Sequence, residues 1–214
     1  HCPAIILSDK YLAENSYCVP ELPSLEPVAL SAYSPSPKGD EMFARYQYTP
    51  EGVHGRTLPG MPGGEYVANS DEHNEIGYSN EHAENRVQQM DKRMRKLETC
   101  KAQDMAEPRL YGPENADVTI VSWGSNKGAI LDAMREFDNV NFLHITWVNP
   151  FPAETVEKVL SDAKYILNIE CNQSAQMAGL IKEKVGIMVN ESFLKYDGRP
   201  FFPEEIVEKL KSIL

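Results

Sequence analysis

The stretch Val118-Thr119-Ile120-Val121-Ser122-Trp123, followed by Gly124-Ser125, decides the fold of this chain. Its run of apolar and β-branched residues predicts a buried strand, and the glycine and serine predict a turn into a helix. That helix carries apolar residues at helical spacing, namely Ile130, Leu131, Met134 and Phe137. A strand that leads directly into a helix is the repeating unit of α/β proteins.

The same order of strand and helix continues to the C terminus. Further strands are predicted at residues 140–148, 165–169 and 187–189, and further helices at residues 153–163, 174–184 and 203–214. Strands and helices that alternate at this spacing favour a three-layer α/β domain with a mostly parallel sheet, because short right-handed crossovers leave few other topologies.

The N-terminal part of the sequence is less regular. Ala4 to Leu7 form a short apolar run that predicts a buried strand. The 45 residues from Pro20 to Gly64 contain eight prolines and six glycines together with Tyr33, Met42, Phe43, Tyr46 and Tyr48. This composition favours an arm that orders against a partner surface, with a mobile surface loop as the alternative.

A helix is predicted from Ser79, as its N-cap, to Thr99. Its apolar residues recur at spacings of four and three, which is typical of a seam that packs on another surface. The seam consists of Ala83, Val87, Met90, Met94 and Leu97.

Composition and charge exclude several classes of protein. The formal net charge is −11, which disfavours binding to the phosphate backbone of nucleic acids. No apolar run approaches the roughly 18 residues that a membrane span needs. The four cysteines are scattered without a CxxC pair, so we expect reduced thiols, no metal site and a cytoplasmic location.

The ends of the predicted strands are the candidate site. In parallel sheets, ligands collect at the carboxyl ends of the strands, where this sequence places Trp123, Asn149, Glu170 and Asn172. The turn that carries Ser125 and Lys127 precedes a helix and could hold an anion, but it is neither a P-loop nor a dinucleotide fingerprint. A tight turn capped by Ser125 is the alternative interpretation.

A second candidate is the run from Asp71 to Glu75, which places His73 among three carboxylates. Such a cluster could act as a general base or contribute half of a metal site. Because no second histidine lies at ligand spacing, a solvated turn is the preferred interpretation. We therefore predict no catalytic residue and no metal ligand in this chain.

Seven short segments stand out along the chain: PAIILSDKYL at 3–12, RTLPG at 56–60, NSDEHNEIGY at 69–78, RMRKL at 93–97, LYGP at 110–113, WGSNKG at 123–128 and KYDGRPF at 195–201. Taken together and in this order, they resemble the α subunits of thiamine-diphosphate-dependent 2-oxoacid:ferredoxin oxidoreductases. The resemblance implies the end of a pyrimidine-type domain at 1–14, an arm and linker at 15–78, a connecting helix at 79–109 and a transketolase C-terminal-like domain at 110–214.

The resemblance also implies a function. The family oxidatively decarboxylates a 2-oxoacid, here expected to be 2-oxoglutarate, forms an acyl-CoA and passes electrons to ferredoxin. Thiamine diphosphate, magnesium and the [4Fe-4S] cluster are expected on a partner β subunit, with coenzyme A as co-substrate and γ and δ subunits as further candidate partners. This chain would then be a structural and docking segment, inactive alone. Its expected interface residues are Trp123, Asn149, Glu170, Asn172, His73, Asp197 and Arg199.

Two alternatives stay open. The α/β domain could be a small-molecule module in which Ser125 and Lys127 hold a phosphate, for example that of coenzyme A. The chain could also be the C-terminal half of a transketolase-like or 2-oxoacid dehydrogenase subunit, which shares the expected fold.

Overall fold

The computed structural model of the protein describes residues 3–16, 18–22, 24 and 42–214. These residues form two compact units. The sheet unit comprises the described residues of His1–Val19 and Ala106–Leu214, and the helix unit comprises those of Pro20–Met105.

The sheet unit is built on a five-stranded sheet in the order β1-β3-β2-β4-β5. The strands β2 to β5 run parallel to their neighbours, and only β1 is antiparallel to its partner, β3. Every residue of β3 and β4 is buried, as expected for parallel strands covered on both faces. The strands are β1 (Arg109–Tyr111), β2 (Val118–Trp123), β3 (Val140–Ile145), β4 (Ile166–Glu170) and β5 (Glu191–Leu194).

Helices cover both faces of this sheet and create two apolar cores. One core joins one face of the sheet to α3 and α6. The other joins the opposite face to α4 and α5. The helices of the sheet unit are α1 (Lys10–Glu14), α3 (Lys127–Ala133), α4 (Ala153–Ser161), α5 (Gln176–Val185) and α6 (Pro203–Lys211), and the long helix of the helix unit is α2 (Ala83–Gln103).

The predicted fold class is confirmed, with local corrections. The strand expected at residues 187–189 is wrong, because that stretch carries no strand and β5 lies at Glu191–Leu194. The short antiparallel edge strand β1 was not predicted. Three residues at a sheet edge are too few to give a periodic signal, and pairing with β3 defines this strand.

The prediction of a buried strand at Ala4–Leu7 is also wrong. These residues form no strand, and the side chains of Ile5, Ile6 and Leu7 are 82%, 95% and 89% exposed. An apolar run becomes a buried strand only where a neighbouring strand can satisfy its backbone groups. None of the strands in the described sheet pairs with this run.

In the helix unit, α2 begins after His82 and not after Ser79, and it continues to Gln103. Among the described residues no surface covers most of the apolar seam, so its packing on another surface stays a prediction. The buried residues of α2 are polar: Asn85, Gln89 and Lys92. Val87 and Met94 in the seam are instead 58% and 57% exposed.

The arm that was expected to order on a partner is ordered within this chain from residue 42 onwards. Phe43 is buried, and the ring of Tyr46 packs on His73 with 4.0 Å between ring centroids. The Tyr48 hydroxyl donates a hydrogen bond to Asn85 Oδ1 of α2, at 2.8 Å. Tyr33 lies outside the described residues. Among those that are described, no helix is long and apolar enough to cross a membrane.

Gly52 permits a close approach between this arm and α2. Its φ is +72°, and a Cβ at this position would lie 2.5 Å from the Lys92 carbonyl oxygen and 2.6 Å from the Lys96 amide nitrogen. Gly60 also has a positive φ, of +87°, but an added Cβ there would meet nothing within 4 Å.

We predict that Gly52→Ala lowers the free energy of unfolding by about 1–3 kcal/mol more than Gly60→Ala does. Both variants place alanine at a positive φ, so the difference isolates the clash with the backbone of α2. Urea denaturation followed by circular dichroism would measure it, and equal losses for the two variants would contradict the packing described for Gly52.

Candidate functional site

The carboxyl ends of the two neighbouring strands β2 and β4 meet at one buried carboxylate. Glu170, the last residue of β4, is fully buried. Its Oε2 accepts hydrogen bonds from Trp123 Nε1 at 3.1 Å and from Asn172 Nδ2 at 2.7 Å. Its Oε1 accepts one from Asn168 Nδ2 at 2.8 Å. The structure thus brings together Trp123, Glu170 and Asn172, three of the predicted strand-end residues.

Glu170 also caps the N terminus of α5. The backbone N–H of Met177 lies 3.0 Å from each carboxylate oxygen, and that of Ala178 lies 3.3 Å from Oε1. Burial alone would raise the pKa of Glu170, but the hydrogen bonds from Met177, Asn172, Asn168 and Trp123 hold it below its ordinary value. The side chain is therefore an ionised anchor whose oxygens already have partners, and not a base with a free lone pair.

A second buried network lies on the other face of the sheet and was missed by the sequence analysis. Ser122 Oγ donates to the Ile169 carbonyl at 2.6 Å, and Asn126 Nδ2 donates to Ser122 Oγ at 3.2 Å. The Cys171 thiol donates to Asn126 Oδ1 at 3.1 Å. The only sequence signal was the spacing of four residues between Ser122 and Asn126, which is common in any helical turn.

These strand ends border a cavity of about 790 Å³ in the sheet unit. Ser125, Cys171 and Arg199 are among the residues that line it. Lys127 is not among the lining residues. Its ammonium instead lies over the Tyr111 ring, 5.4 Å from the ring centroid. The predicted pair of Ser125 and Lys127 therefore does not converge on this cavity, and anion binding by the two residues stays a prediction.

The remaining predicted interface residues of the sheet unit are apart from the Glu170 network. Asn149 is exposed in the segment after β3, and no hydrogen bond of the described residues links it to Glu170. Asp197 and Arg199 form an exposed ion pair with each other, in which Arg199 Nε lies 2.8 Å from Asp197 Oδ2. Their role in an interface stays a prediction.

Lys195 and Glu205 form a salt bridge that sequence reasoning did not find. The ammonium of Lys195 donates to both oxygens of Glu205, at 2.7 and 2.6 Å. Glu205 also accepts from the backbone N–H of Phe202 and so completes the N-terminal cap of α6. The two residues are ten positions apart in the chain, and only the fold brings them into contact.

In the helix unit, the cluster from Asp71 to Glu75 is a structural junction and not the solvated turn that was preferred. Glu72 forms ion pairs with Arg86 and Arg93 of α2, and these arginines lower its pKa to about 2. Glu75 accepts a hydrogen bond from the backbone N–H of Tyr48 at 2.9 Å. Nδ1 of His73 lies 2.8 Å from the Asp71 carbonyl oxygen. The carboxylates at 72 and 75 are therefore occupied by structural contacts.

The described donor groups do not fit a metal centre or an iron–sulfur cluster. Within the described ranges, no three His, Cys, Asp or Glu side chains converge as metal ligands. Cys18, Cys100 and Cys171 are free thiols in the same ranges, whereas an iron–sulfur cluster needs several cysteines around one centre. We therefore derive no chemical step through either group on this chain.

Comparison with known proteins gives consistent matches. Residues 116–211 match the family model of pyruvate:ferredoxin oxidoreductase core domain II. The α subunit of 2-oxoacid:ferredoxin oxidoreductase 1 from Sulfurisphaera tokodaii is 35% identical over 99% of this chain and 34% of its own length. The 2-oxoacid:ferredoxin oxidoreductase α subunit from Saccharolobus solfataricus is 32% identical over the same shares.

A solved structure agrees with these matches. It is 2-oxoglutarate:ferredoxin oxidoreductase from Magnetococcus marinus with 2-oxoglutarate, coenzyme A and succinyl-CoA bound. The TM-score is 0.75 at 26% identity, and the match covers 83% of this chain and 32% of that chain. The chain spans about a third of the length of the curated relatives it matches.

We predict that Glu170→Gln lowers the free energy of unfolding by about 3 kcal/mol, because an amide would turn an N–H₂ group toward donors that need an acceptor. The control is Glu183→Gln, at an exposed carboxylate of α5 paired with Lys184, where we expect about 0–1 kcal/mol. Denaturation followed by tryptophan fluorescence would measure both.

The same variant should change the dependence of stability on pH. Because folding lowers the pKa of Glu170, the wild-type protein should lose this contribution as the pH falls below the ordinary glutamate range. Glu170→Gln should lack that component, and identical pH profiles for the two proteins would argue against the buried carboxylate as an anchor.

Lys92 provides a second pH prediction, at alkaline pH. It is buried on α2, where its ammonium donates to the Tyr46 carbonyl at 2.7 Å, and burial lowers its pKa to about 8. Between about pH 8 and 10.5 the unfolded chain keeps a proton that the folded chain has released, so stability should rise with pH by an amount on the order of 2–3 kcal/mol.

Lys92→Met should lack this rise when unfolding is measured by urea titration at several pH values. Lys158→Met, at an exposed position of α4, controls for the loss of one surface lysine. The difference between the two pH profiles isolates Lys92, and a Lys92→Met variant with the same profile as the wild-type protein would contradict its burial.

Proposed function

Because this chain belongs to the family of 2-oxoacid:ferredoxin oxidoreductase α subunits and matches about a third of their length, we propose that it is a structural and docking portion of such an enzyme. The proposed reaction of the whole complex converts 2-oxoglutarate and coenzyme A into succinyl-CoA and CO₂, with electrons leaving to ferredoxin. The choice of 2-oxoglutarate is supported by the substrate bound in the Magnetococcus marinus relative.

The observation that carries this proposal is the reversed polarity of α2. A helix on the surface of a globular protein normally buries its apolar stripe and exposes its polar face. Here Asn85, Gln89 and Lys92 are buried, while Val87 and Met94 are more than half exposed. Such an apolar surface is typical of a protein–protein contact.

The exposed run from Ile5 to Leu7 supports the same interpretation. Three consecutive apolar side chains that are more than four-fifths exposed gain free energy when another surface covers them. We propose that parts of the enzyme outside this chain cover both surfaces, and that the β subunit is the partner of the α2 seam.

The contacts of the described carboxylates and imidazoles support a structural role for this chain. The carboxylates and imidazoles described above are engaged in caps, ion pairs and ring contacts, so this chain contributes positioning and not bond breaking. Thiamine diphosphate, magnesium and the [4Fe-4S] cluster are proposed to belong to the β subunit, with γ and δ subunits as further candidates. A cytoplasmic location, favoured by the scattered cysteines, is part of the same proposal.

The two alternatives from the sequence are less well supported. The matched relatives are ferredoxin oxidoreductases, which favours that family over a transketolase-like or dehydrogenase subunit. A phosphate module built on Ser125 and Lys127 would need both side chains to converge, but Lys127 is placed over the ring of Tyr111.

We expect this chain to form a stable complex with the thiamine-binding β subunit that buries more than about 1,000 Å². Met94→Asp should weaken the complex at least tenfold, because a carboxylate on the seam would be desolvated in the contact. Gln88→Asp adds the same charge at an exposed position outside the seam and should leave the affinity unchanged. Analytical ultracentrifugation and surface plasmon resonance would measure the binding.

Two results would refute the proposal. One is equal binding by the Met94→Asp and Gln88→Asp chains, which would remove the seam from the contact. The other is the reduction of a viologen dye by the purified chain alone, given 2-oxoglutarate and coenzyme A, which would require a complete reaction centre within these 214 residues.

A further inference from the structure

The cavity of the sheet unit lies at the topological switch point, where the connections leaving two neighbouring strands run in opposite directions along the sheet. From β2 the chain moves through α3 to β3 on one side, whereas from β4 it moves through α5 to β5 on the other. In open α/β sheets, the crevice outside the carboxyl ends of two such strands is where ligands bind. Residues after β2, β4 and β5 line the cavity: Ser125, Cys171 and Lys195.

The size and lining of this cavity suit a small molecule. Its volume of about 790 Å³ lies within the roughly 300–1,000 Å³ that is usual for ligand pockets. The rings of Tyr196, Phe201 and Phe202 line it. Phe201 is buried, whereas Tyr196 and Phe202 are 66% and 51% exposed, so two of the three rings retain surface on which a flat ligand could stack.

Lys195 positions two of these rings. Its ammonium lies 5.7 Å from the ring centroid of Phe201 and 5.1 Å from that of Phe202, within the range of a cation–π contact. Because Glu205 accepts two hydrogen bonds from the same ammonium, Lys195 is fixed by the chain itself.

The three cations that line the cavity each have a carboxylate partner within the chain. Lys195 is paired with Glu205, Arg199 with Asp197, and Lys10 with Glu14. An anionic ligand would have to compete with these carboxylates, and the carboxylates of Asp9 and Asp132 in the lining would repel it. The lining therefore favours an uncharged ligand over a phosphate.

Polar groups that could orient such a ligand are also present. In the described part of the chain, no hydrogen bond uses the Ser125 hydroxyl, so it can donate and accept. The Cys171 thiol lines the same cavity. A ligand with a flat ring and hydroxyl or ring-nitrogen groups would match both the aromatic wall and these polar groups.

We propose that this cavity binds an uncharged molecule with a planar heteroaromatic ring and hydroxyl groups, the class to which nucleosides belong. This cavity is separate from the docking surface proposed on α2, because none of its lining residues lies on α2. Adenosine is a suitable probe, and inorganic pyrophosphate tests the opposing possibility of an anion site.

Protection of Cys171 from alkylation would measure the binding on the complete 214-residue chain. We expect saturating adenosine to slow the reaction of iodoacetamide with Cys171 at least fivefold, as followed by peptide mass spectrometry. Cys18, which is exposed outside the cavity, is the internal control and should react at an unchanged rate. Pyrophosphate at the same concentration should not protect Cys171.

Two variants test the lining. Phe202→Ala removes a stacking ring and should raise the adenosine concentration for half-protection at least tenfold. Ser125→Ala removes a hydroxyl without an internal partner and should raise it about threefold without affecting folding. Met188→Ala, at a 70% exposed apolar position of the same unit outside the cavity, is the matched control and should have no effect.

Three outcomes would overturn the assignment. They are protection by pyrophosphate but not by adenosine, absence of protection by adenosine up to about 10 mM, and protection that neither Phe202→Ala nor Ser125→Ala weakens. Each can occur while the chain still binds the β subunit through Met94, so failure of this proposal is distinguishable from failure of the docking function.

Discussion

The ionised carboxylate of Glu170 is the constraint on which the sheet unit depends. It is fully buried at the end of β4, where it accepts hydrogen bonds from Trp123 of β2 and from the first turn of α5. A buried charge is tolerated only when donors surround it, so the positions of these elements are coupled. That coupling fixes the end of β4 relative to β2 and to the start of α5.

The two units bury different kinds of side chain. The sheet unit places apolar residues on both faces of its strands, as its continuous apolar segments require. In the helix unit, α2 buries polar groups that each find a partner, as the ammonium of Lys92 does on the carbonyl of Tyr46. Its apolar seam is left to solvent. This inversion agrees with the proposal that the outer face of α2 is covered in an assembly.

The titratable groups described at the candidate sites are committed to structural contacts. Glu72 neutralises two arginines of α2, Glu205 completes a helix cap and neutralises Lys195, and the ring of His73 packs on Tyr46. A group held in this way cannot readily exchange protons with a substrate, because its favourable contacts would be lost. The chemistry of the enzyme family would then belong to other parts of the complex, and this chain would provide shape and contacts.

The sequence by itself determined the fold class, because strand-length apolar runs such as that of β2 and the helices between them are local patterns. It also indicated the strand ends as the site, since the carboxyl ends of parallel strands share one edge of a sheet. Only the tertiary structure decided which side chains meet. The pairs Lys195–Glu205 and Glu72–Arg93 join separate segments of the sequence. The polar face of α2 is buried because the arm from residue 42 supplies hydrogen-bond partners for it, as Tyr48 does for Asn85. Periodicity identifies two faces of a helix, but the available hydrogen-bond partners determine which of them is buried.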